Sequence, residues 1–212
     1  IQAILISEGG SGELAGEPRP FEMAMLRLGS DPARKEIQLD DALLIAPDVE
    51  ARLGGILGLS LGSDGRVQAV RGQVDLAFLN VPLPDVLAVP VVVEDGQLLV
   101  DWRPDNERLD VAESWVRSGD DVFHLTGRVG SLNDQLQDDL RAEAVGLDVG
   151  GLLDRWPLTA AKNARDWTRR NISSARIDAF LAQFSMDGDE TDLSLNVSFS
   201  EMTATYVPGM SP

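Results

Sequence analysis

The 212-residue chain has no cysteine, and this absence excludes several kinds of site. Without thiols there is no disulfide, no thiolate nucleophile and no cysteine-based zinc site. The single histidine, His124, is also too little for a histidine-rich metal site, and a catalytic triad would have to be built on it alone. The composition therefore argues against the commonest catalytic chemistries, while the missing cysteines leave the cellular compartment open.

Positive charge and long apolar runs are scarce as well. There are 18 Lys and Arg residues against 35 Asp and Glu residues, a net charge of -17. Such a chain is repelled by phosphate backbones and by anionic membrane surfaces at long range, so we expect no nucleic-acid partner. No apolar run approaches the roughly 20 residues of a membrane-spanning helix, and no signal peptide is apparent. Because the chain begins at Ile1, we expect it to be a piece of a longer protein.

The chain is rich in short runs in which apolar and polar residues alternate. Alternation of this kind is typical of half-buried β-strands, and the runs are divided by turns rich in Gly, Asp, Ser and Pro. Strands that follow one another closely, with almost no helix between them, favour a sequentially connected antiparallel sheet. We therefore predict a mainly β fold: residues 1–212 form one β-rich segment, a long, curved, open and groove-like antiparallel meander.

One or two short helices are predicted to interrupt the strands at about residues 148–170. Pro157 disfavours helical geometry at Trp156, so a first short helix has to end there. In this prediction the helical insert lies late in the chain, and strands resume after it.

The second helix of the insert is predicted over residues 160–170. Thr159 is a suitable N-cap, and cations in the last turn complement the negative end of the helix. Ala164 and Trp167 share one face through their i, i+3 spacing. We therefore expect the helix to lie on the sheet with Trp167 as its anchor.

The last quarter of the chain resembles a known family. A Trp-Pro step is followed by an Ala-Arg-Asp-Trp helix, by Asn-Ile at a strand entry, and by a close that reads Tyr-Val-Pro-Gly-Met-Ser-Pro. This order is similar to the central region of the YhdP-like branch of the AsmA-like proteins, although Ser174 or Ala175 stands where that family usually has Gly. The residues that carry the resemblance are Trp156, Pro157, Arg165, Trp167, Tyr206 and Pro208.

The resemblance implies a fold, a location and a function. AsmA-like proteins of this branch are similar to bridge-like lipid transfer proteins, whose curled sheets offer phospholipid acyl chains an apolar groove between the inner and outer membranes of Gram-negative bacteria. For this chain the resemblance implies a periplasmic, non-enzymatic segment of an inner-membrane-anchored protein, with no cofactor. Its partners would be phospholipid and the remainder of the parent chain, and it would contact the membrane only through parts outside these residues.

Alternating strands supply the candidate lipid-contacting side chains. On residues 193–199 four apolar residues occupy one face and polar residues the other, and residues 123–129 carry a similar stripe. An alternating stripe is also typical of the core of an ordinary sandwich or barrel, and a closed barrel would exclude a groove. A second candidate function is a periplasmic scaffold or protein-binding module that uses open strand edges. The predicted lipid-contacting residues are Phe123, Leu125, Val129, Leu193, Leu195, Val197 and Phe199.

No residue is predicted to be catalytic or to bind a metal. His124 lies in a strand pattern, on the polar side with Thr126 and Arg128. Residues 187–192 offer oxygen ligands of the kind that Ca²⁺ prefers, but they lack the closing bidentate Glu of an EF-hand loop. An acidic hairpin turn explains them more simply.

Overall fold

The computed structural model describes residues 2–14, 17–82, 84, 87–132, 135–158, 161–187 and 190–204, and every structural statement below refers to these residues. They form strands, one 3-10 turn and two short helices. The helices are α1 (Val149–Arg155) and α2 (Lys162–Asn171). The strands are β1 (Gln2–Leu14), β2 (Glu17–Asp31), β3 (Glu36–Ala46), β4 (Val49–Leu61), β5 (Val67–Val81), β6 (Val91–Val93), β7 (Asp95–Arg103), β8 (Arg108–Ser118), β9 (Asp121–Val129), β10 (Ser131–Leu132), β11 (Gln135–Ala144), β12 (Leu147–Asp148), β13 (Ile172–Asp187) and β14 (Glu190–Ala204).

The long strands follow one another across one antiparallel sheet. Their order is β1-β2-β3-β4-β5-β7-β8-β9-β11-β13, and β14 pairs with the outer side of β13. Two short strands continue the positions of β7 and β11 in the sheet. Strand β6 pairs with the end of β5 beyond β7, and β12 pairs with β13 beyond β11. In the described part of the chain β1 and β14 are the two edges, so the sheet is open. The predicted mainly β, open antiparallel meander with two short helices is confirmed.

Irregular positions interrupt the alternation of several strands. The register shifts by a residue or more in six of the strand pairs, which is the signature of β-bulges. In β8, Glu113 takes a left-handed φ of 39°. The Ser114 hydroxyl holds this bulge together, because it accepts from the Leu99 N–H at 2.9 Å and donates to the Ala112 carbonyl at 2.9 Å. Bulges bend a strand and change which face its later side chains occupy.

Two strand glycines allow backbones to approach closely. A Cβ on Gly72 would lie 2.0 Å from the Ile56 carbonyl oxygen, and one on Gly127 would lie 2.1 Å from the Asp139 carbonyl oxygen. Any side chain at these two positions would therefore collide with the neighbouring strand. Glycines of this kind are a recognised way of bending a sheet.

Helix α1 is capped and terminated by local chemistry. The Asp148 carboxylate accepts a hydrogen bond from the Gly151 N–H at 2.6 Å, as an N-cap residue does. The helix ends at Arg155, and Trp156 is extended before Pro157. The predicted helix stop is therefore confirmed.

Arg155 fastens α1 to the turn between β8 and β9. Its Nη1 lies 3.0 Å from Asp121 Oδ2, and its Nη2 donates to the Ser118 carbonyl at 3.1 Å. The guanidinium also lies 5.0 Å from the centre of the Phe123 ring. A single side chain thus joins the helix to the sheet through charge, hydrogen bonds and a cation–π contact.

The principal buried core lies between α1 and the last third of the sheet. Leu152 from the helix and Ile177 from β13 are fully buried, and Phe123 packs edge-on against Phe180 with ring centres 6.3 Å apart. The core consists of Phe123, Ala144, Leu147, Leu152, Trp156, Ile177 and Phe180. Trp156 is thus the aromatic anchor of the helical region.

Helix α2 differs from its prediction in its start and in its buried face. It begins at Lys162 after Ala161, whose φ is 43° and which offers no side-chain cap. The expected cap, Thr159, lies outside the described residues. Trp167 is 42% exposed, so the prediction that it anchors the helix was wrong. Arg165 and Thr168, three residues apart, occupy the buried face instead.

Four other residues carry the family resemblance, namely Arg165, Pro157, Tyr206 and Pro208. The buried Arg165 has a side-chain Nε without a hydrogen-bond partner among the described residues. Pro157 is half-buried beside the core. Tyr206 and Pro208 lie outside the described residues.

Candidate functional site

The registers of the sheet place an unbroken apolar row across it from edge to edge. Directly opposed residues on antiparallel neighbours point to the same side of a sheet. A chain of such pairs runs from Leu5 in β1 to Val197 in β14, and every member is apolar or glycine. The row is Leu5, Leu26, Ala42, Leu53, Leu76, Gly96, Val116, Phe123, Ala144, Phe180 and Val197. We call the side of the sheet that carries this row the apolar face.

Further rows on the apolar face run beside the first. One passes from Ile37 to Leu193 through nine strands, and its members are Ile37, Leu57, Gly72, Val100, Val111, Gly127, Leu140, Phe184 and Leu193. Another joins Leu125 to Ala142, Ala182 and Leu195. Rows two residues apart on one strand share a face, so these side chains form one continuous apolar surface.

All seven sequence-predicted residues lie on the apolar face. Phe123 and Val197 belong to the first row, and Leu193 and Leu195 to its neighbours. Val129 is opposite Leu109, and Phe199 is opposite the buried Ile177. Leu125 joins them through Ala142.

Accessibility differs along this face because α1 covers part of it. Phe123 is only 8% exposed and belongs to the core. Leu125, Leu195 and Val197 are half-buried and pack against the core, whereas Phe199 is 38% exposed. The accessible apolar surface therefore lies mainly on β1 to β8, away from the helix.

A recess opens in the apolar face near the turn between β2 and β3. The Leu59 N–H donates to the Lys35 carbonyl at 2.8 Å, which extends the pairing of β3 with β4 to the end of this turn. The recess has a volume of about 380 Å³, and its charged lining residues are Asp31, Lys35 and Glu36. Its apolar lining comes from Ala3, Leu28, Pro32, Ile37, Leu59 and Leu61.

Sequence reasoning missed the part of the face contributed by β1 to β8. This part of the face is not evident from the sequence, because β-bulges break the alternation of apolar and polar residues along a strand. Leu39 and Ala42 are three residues apart, yet both lie on the apolar face, because a β-bulge at Asp40 and Asp41 shifts the register of β3. Local signals existed in residues 57–61, where every second residue is Leu, and in residues 108–111, where Leu109 and Val111 alternate with charged residues.

The opposite face carries cross-strand ion pairs. Arg52 binds Asp41 with two hydrogen bonds of 2.9 and 3.0 Å. Asp101 lies 2.7 Å from Arg71 and 3.4 Å from Arg103. Similar contacts join Asp110 to Arg108 at 2.8 Å and to Arg128 at 2.9 Å, and Arg141 to Glu143. The two faces thus differ sharply in chemistry, although Ile56 and several other apolar side chains also occupy the second one.

Three of these carboxylates, those of Asp41, Asp101 and Asp110, have a lowered pKa. Hydrogen bonds from Arg52 hold the pKa of Asp41 below its usual value. Burial acts to raise the pKa of Asp101, but hydrogen bonds from Arg103 and Arg71 outweigh it and lower that pKa.

For Asp110 the largest contribution is hydrogen bonding from Arg108, which lowers the pKa against the opposing effect of burial. A carboxylate with a lowered pKa in the folded state stabilises the fold at any pH above its unfolded pKa, which is about 3.9 for Asp. That contribution is lost as the pH falls through the folded pKa.

We predict that Asp110→Asn loses stability at pH 7 and that this loss shrinks as the pH falls below the unfolded pKa of about 3.9. At pH 7 the variant lacks a charge that Arg108 and Arg128 bind, whereas in acid the wild-type carboxylate loses the same charge as the pH falls through its lowered folded pKa. Urea midpoints measured from pH 7 to pH 2.5 should therefore converge for the two proteins. Asp154→Asn, at an exposed position on α1, is the control, and its curve should run parallel to the wild type. Parallel curves for Asp110→Asn would contradict the prediction.

His124 lies on the opposite face in a recess of about 270 Å³ lined also by Glu113 and Glu143. Ser114 borders the recess, but its hydroxyl already holds the β8 bulge. Within the described residues no group of three or more His, Cys, Asp or Glu side chains is placed to hold a metal ion. The acidic residues 187–192 are described only in part, because positions 188 and 189 lie outside the described residues.

Comparisons with protein-family models, with curated proteins and with solved structures found no match to this chain. The resemblance to the AsmA-like proteins therefore stays a prediction. Among the described helices, neither is long and apolar enough to cross a membrane.

Proposed function

We propose that this chain is a non-enzymatic section of a lipid-transfer conduit, in which the apolar face holds phospholipid acyl chains. In this proposal the chain works in the periplasm as part of an AsmA-like, inner-membrane-anchored protein, and lipid passes along the sheet between the two membranes.

The observation that carries the proposal is the unbroken apolar row from Leu5 to Val197. It crosses eleven strands without a charged or hydrogen-bonding side chain. In a sandwich or a closed barrel such a face would be covered by a second layer. Here α1 covers only its last third, and on the rest Leu5, Leu44, Leu61 and Trp102 remain 37–61% exposed.

The energetics favour acyl chains on this surface. Moving apolar surface out of water stabilises by about 0.8 kcal/mol per buried CH₂. An acyl chain lying across the rows would gain this along its length, and it requires no hydrogen bond or catalytic group. The recess near the turn between β2 and β3 is large enough to take part of such a chain.

The proposal is tested by the lipid content of the protein. The chain is expressed with a periplasmic signal, purified without detergent and analysed by native mass spectrometry and by lipid extraction. We expect bound phospholipid with two acyl chains. Protein free of phospholipid, which also fails to take up a fluorescent phospholipid from vesicles, would overturn the proposal.

A second candidate function is a β module that binds another polypeptide through a strand edge. The specific observation in its favour is the exposed aliphatic edge strand β1. This function is compatible with a conduit, because strand addition uses the edge of the sheet and lipid uses its face.

A further inference from the structure

Arg165 of α2 is a buried cation for which the described residues supply no partner. The residue is 6% exposed, and its Nε is enclosed without a hydrogen-bond partner in that part of the chain. Arginine stays charged in proteins, and a buried charge without a counter-ion is strongly destabilising. A bound anion would remove this cost, so Arg165 is a candidate ligand-binding group.

The missing partner is specific to this arginine. The chain has 35 acidic residues, and Arg155 of α1, which is also sheltered, lies 3.0 Å from Asp121. Asp166, the one acid of α2, follows Arg165 directly and therefore projects about 100° away round the helix. The described residues thus leave Arg165 to an anion from elsewhere.

Two further cations lie on the same side of α2. Lys162 is one turn before Arg165 and Arg169 is one turn after it, and both are exposed. None of the three forms an ion pair with a described carboxylate. With Arg170, the helix holds four cations and one acid, a net charge of +3 in a chain whose net charge is -17. Positive charge is therefore concentrated around the buried guanidinium.

The start of α2 adds hydrogen-bond donors to this group. Side chains of a helix incline towards its N-terminus, so the Arg165 side chain is directed over the first turn. Ala161 provides no side-chain cap there, which leaves N–H groups of that turn available to an anion. The positive end of the helix dipole and the guanidinium therefore act on the same place.

A phosphate group suits this arrangement better than a carboxylate does. A carboxylate has two oxygens in one plane, which a single arginine can satisfy in a bidentate pair. A phosphate has a tetrahedron of oxygens, so it can accept hydrogen bonds from Arg165, from a neighbouring cation and from backbone N–H groups at once. Arginine is also favoured for phosphate recognition, because its planar fork matches two phosphate oxygens.

We propose that Arg165, with Lys162 and Arg169, forms a binding site for a phosphate group. Two sources share this chemistry, a phospholipid headgroup and a free phosphate ester. The place of α2 suits a headgroup, because the helix leads directly into β13, where Ile177 pairs with Phe199 on the apolar face. A phosphate on apolar surface would lose its hydration, so the headgroup of a lipid held on that face has to lie at its margin. The assignment to a headgroup rests on the proposed function, whereas the phosphate site does not.

The first test measures the stability of the lipid-extracted chain in millimolar inorganic phosphate. A ligand that binds only the folded protein stabilises it, so the wild-type urea midpoint should be higher in phosphate than in chloride or acetate of equal ionic strength. Arg165→Met should abolish this difference. In chloride the variant should be at least as stable as the wild type, because it lacks an unpaired buried charge. A less stable variant, or equal wild-type midpoints in phosphate and acetate, would overturn the proposal.

The second test uses exposed positions, where substitution is expected to leave folding undisturbed. Lys162→Gln and Arg169→Gln should each reduce the shift that phosphate causes. Arg170→Gln is the matched control, because this exposed residue is next to Arg169 and its Nε donates to the Asp166 carbonyl at 3.0 Å. The control should keep the full shift. Equal shifts in all three variants would count against the site.

The third test identifies the source of the phosphate. Vesicles offer the chain either a fluorescent phospholipid or a fluorescent diacylglycerol with the same acyl chains. If the source is a headgroup, Arg165→Met should lower phospholipid uptake about tenfold and leave diacylglycerol uptake unchanged. A phosphate-dependent shift without a difference between the two lipids would support the site with a free phosphate ester as its ligand. Uptake of neither lipid would contradict the proposed lipid-transfer function, and the phosphate shifts would still decide the site.

Discussion

Leu57→Glu is expected to remove at least nine-tenths of the phospholipid that the chain retains, while Ile56→Glu leaves the amount unchanged. The two residues are neighbours on β4 and point to opposite sides of the sheet. Leu57 belongs to an apolar row between Ile37 and Gly72, whereas Ile56 is opposite Gln38 and Gln73 on the other face. This expectation rests on the proposed lipid-transfer function.

The size of the effect follows from the cost of an unpaired charge. A carboxylate against acyl chains, without a partner, loses hydration worth several kcal/mol. Since about 1.4 kcal/mol corresponds to a factor of ten in affinity, the retained lipid should fall at least tenfold. Phospholipid is counted per folded protein after extraction, and far-UV circular dichroism shows that each variant is folded. Equal loss in both variants would show that lipid does not distinguish the two faces.

Trp156→Ala is expected to destabilise the fold by about 3–5 kcal/mol, which is the usual cost of removing a large aromatic side chain from a core. Trp156 is 7% exposed and packs between α1 and the sheet. Because a domain is typically stable by only about 5–15 kcal/mol, this loss is severe.

Trp167→Ala is the matched control, and it should cost clearly less than Trp156→Ala, because the Trp167 side chain is 42% exposed. Urea unfolding is followed by circular dichroism, since the chain contains four tryptophans and their fluorescence would overlap. A larger loss for Trp167→Ala than for Trp156→Ala would contradict the observed packing of α2.

Much of the fold could be predicted from local signals. Alternation between polar and apolar residues in 123–129 and 193–199 identified strands, because a half-buried strand exposes every second residue. Pro157 identified the end of α1, since the ring of a proline restricts the residue before it. The order of strands followed from the short connections between them.

The buried side of α2 could not be predicted in the same way. Helical periodicity shows which residues share a face, but it does not show which face meets the sheet. Trp167 looked like the anchor because it is large and aromatic, yet Arg165 and Thr168 are the buried residues. The long aliphatic stem of an arginine can occupy buried space that its charge alone would not suggest.

By itself, the sequence determined the strand content, the helix stop at Pro157 and the acidic net charge. It also determined the seven apolar residues that alternate with polar ones and therefore lie on one side of their strands. Only the tertiary structure decided that the apolar stripes of eleven strands align into one face and that α1 covers just one part of it. The physical reason is that alternation is a property of a single strand, whereas alignment depends on register. Each bulge, such as those at Asp40 and Glu113, shifts register through contacts between strands that no local pattern contains.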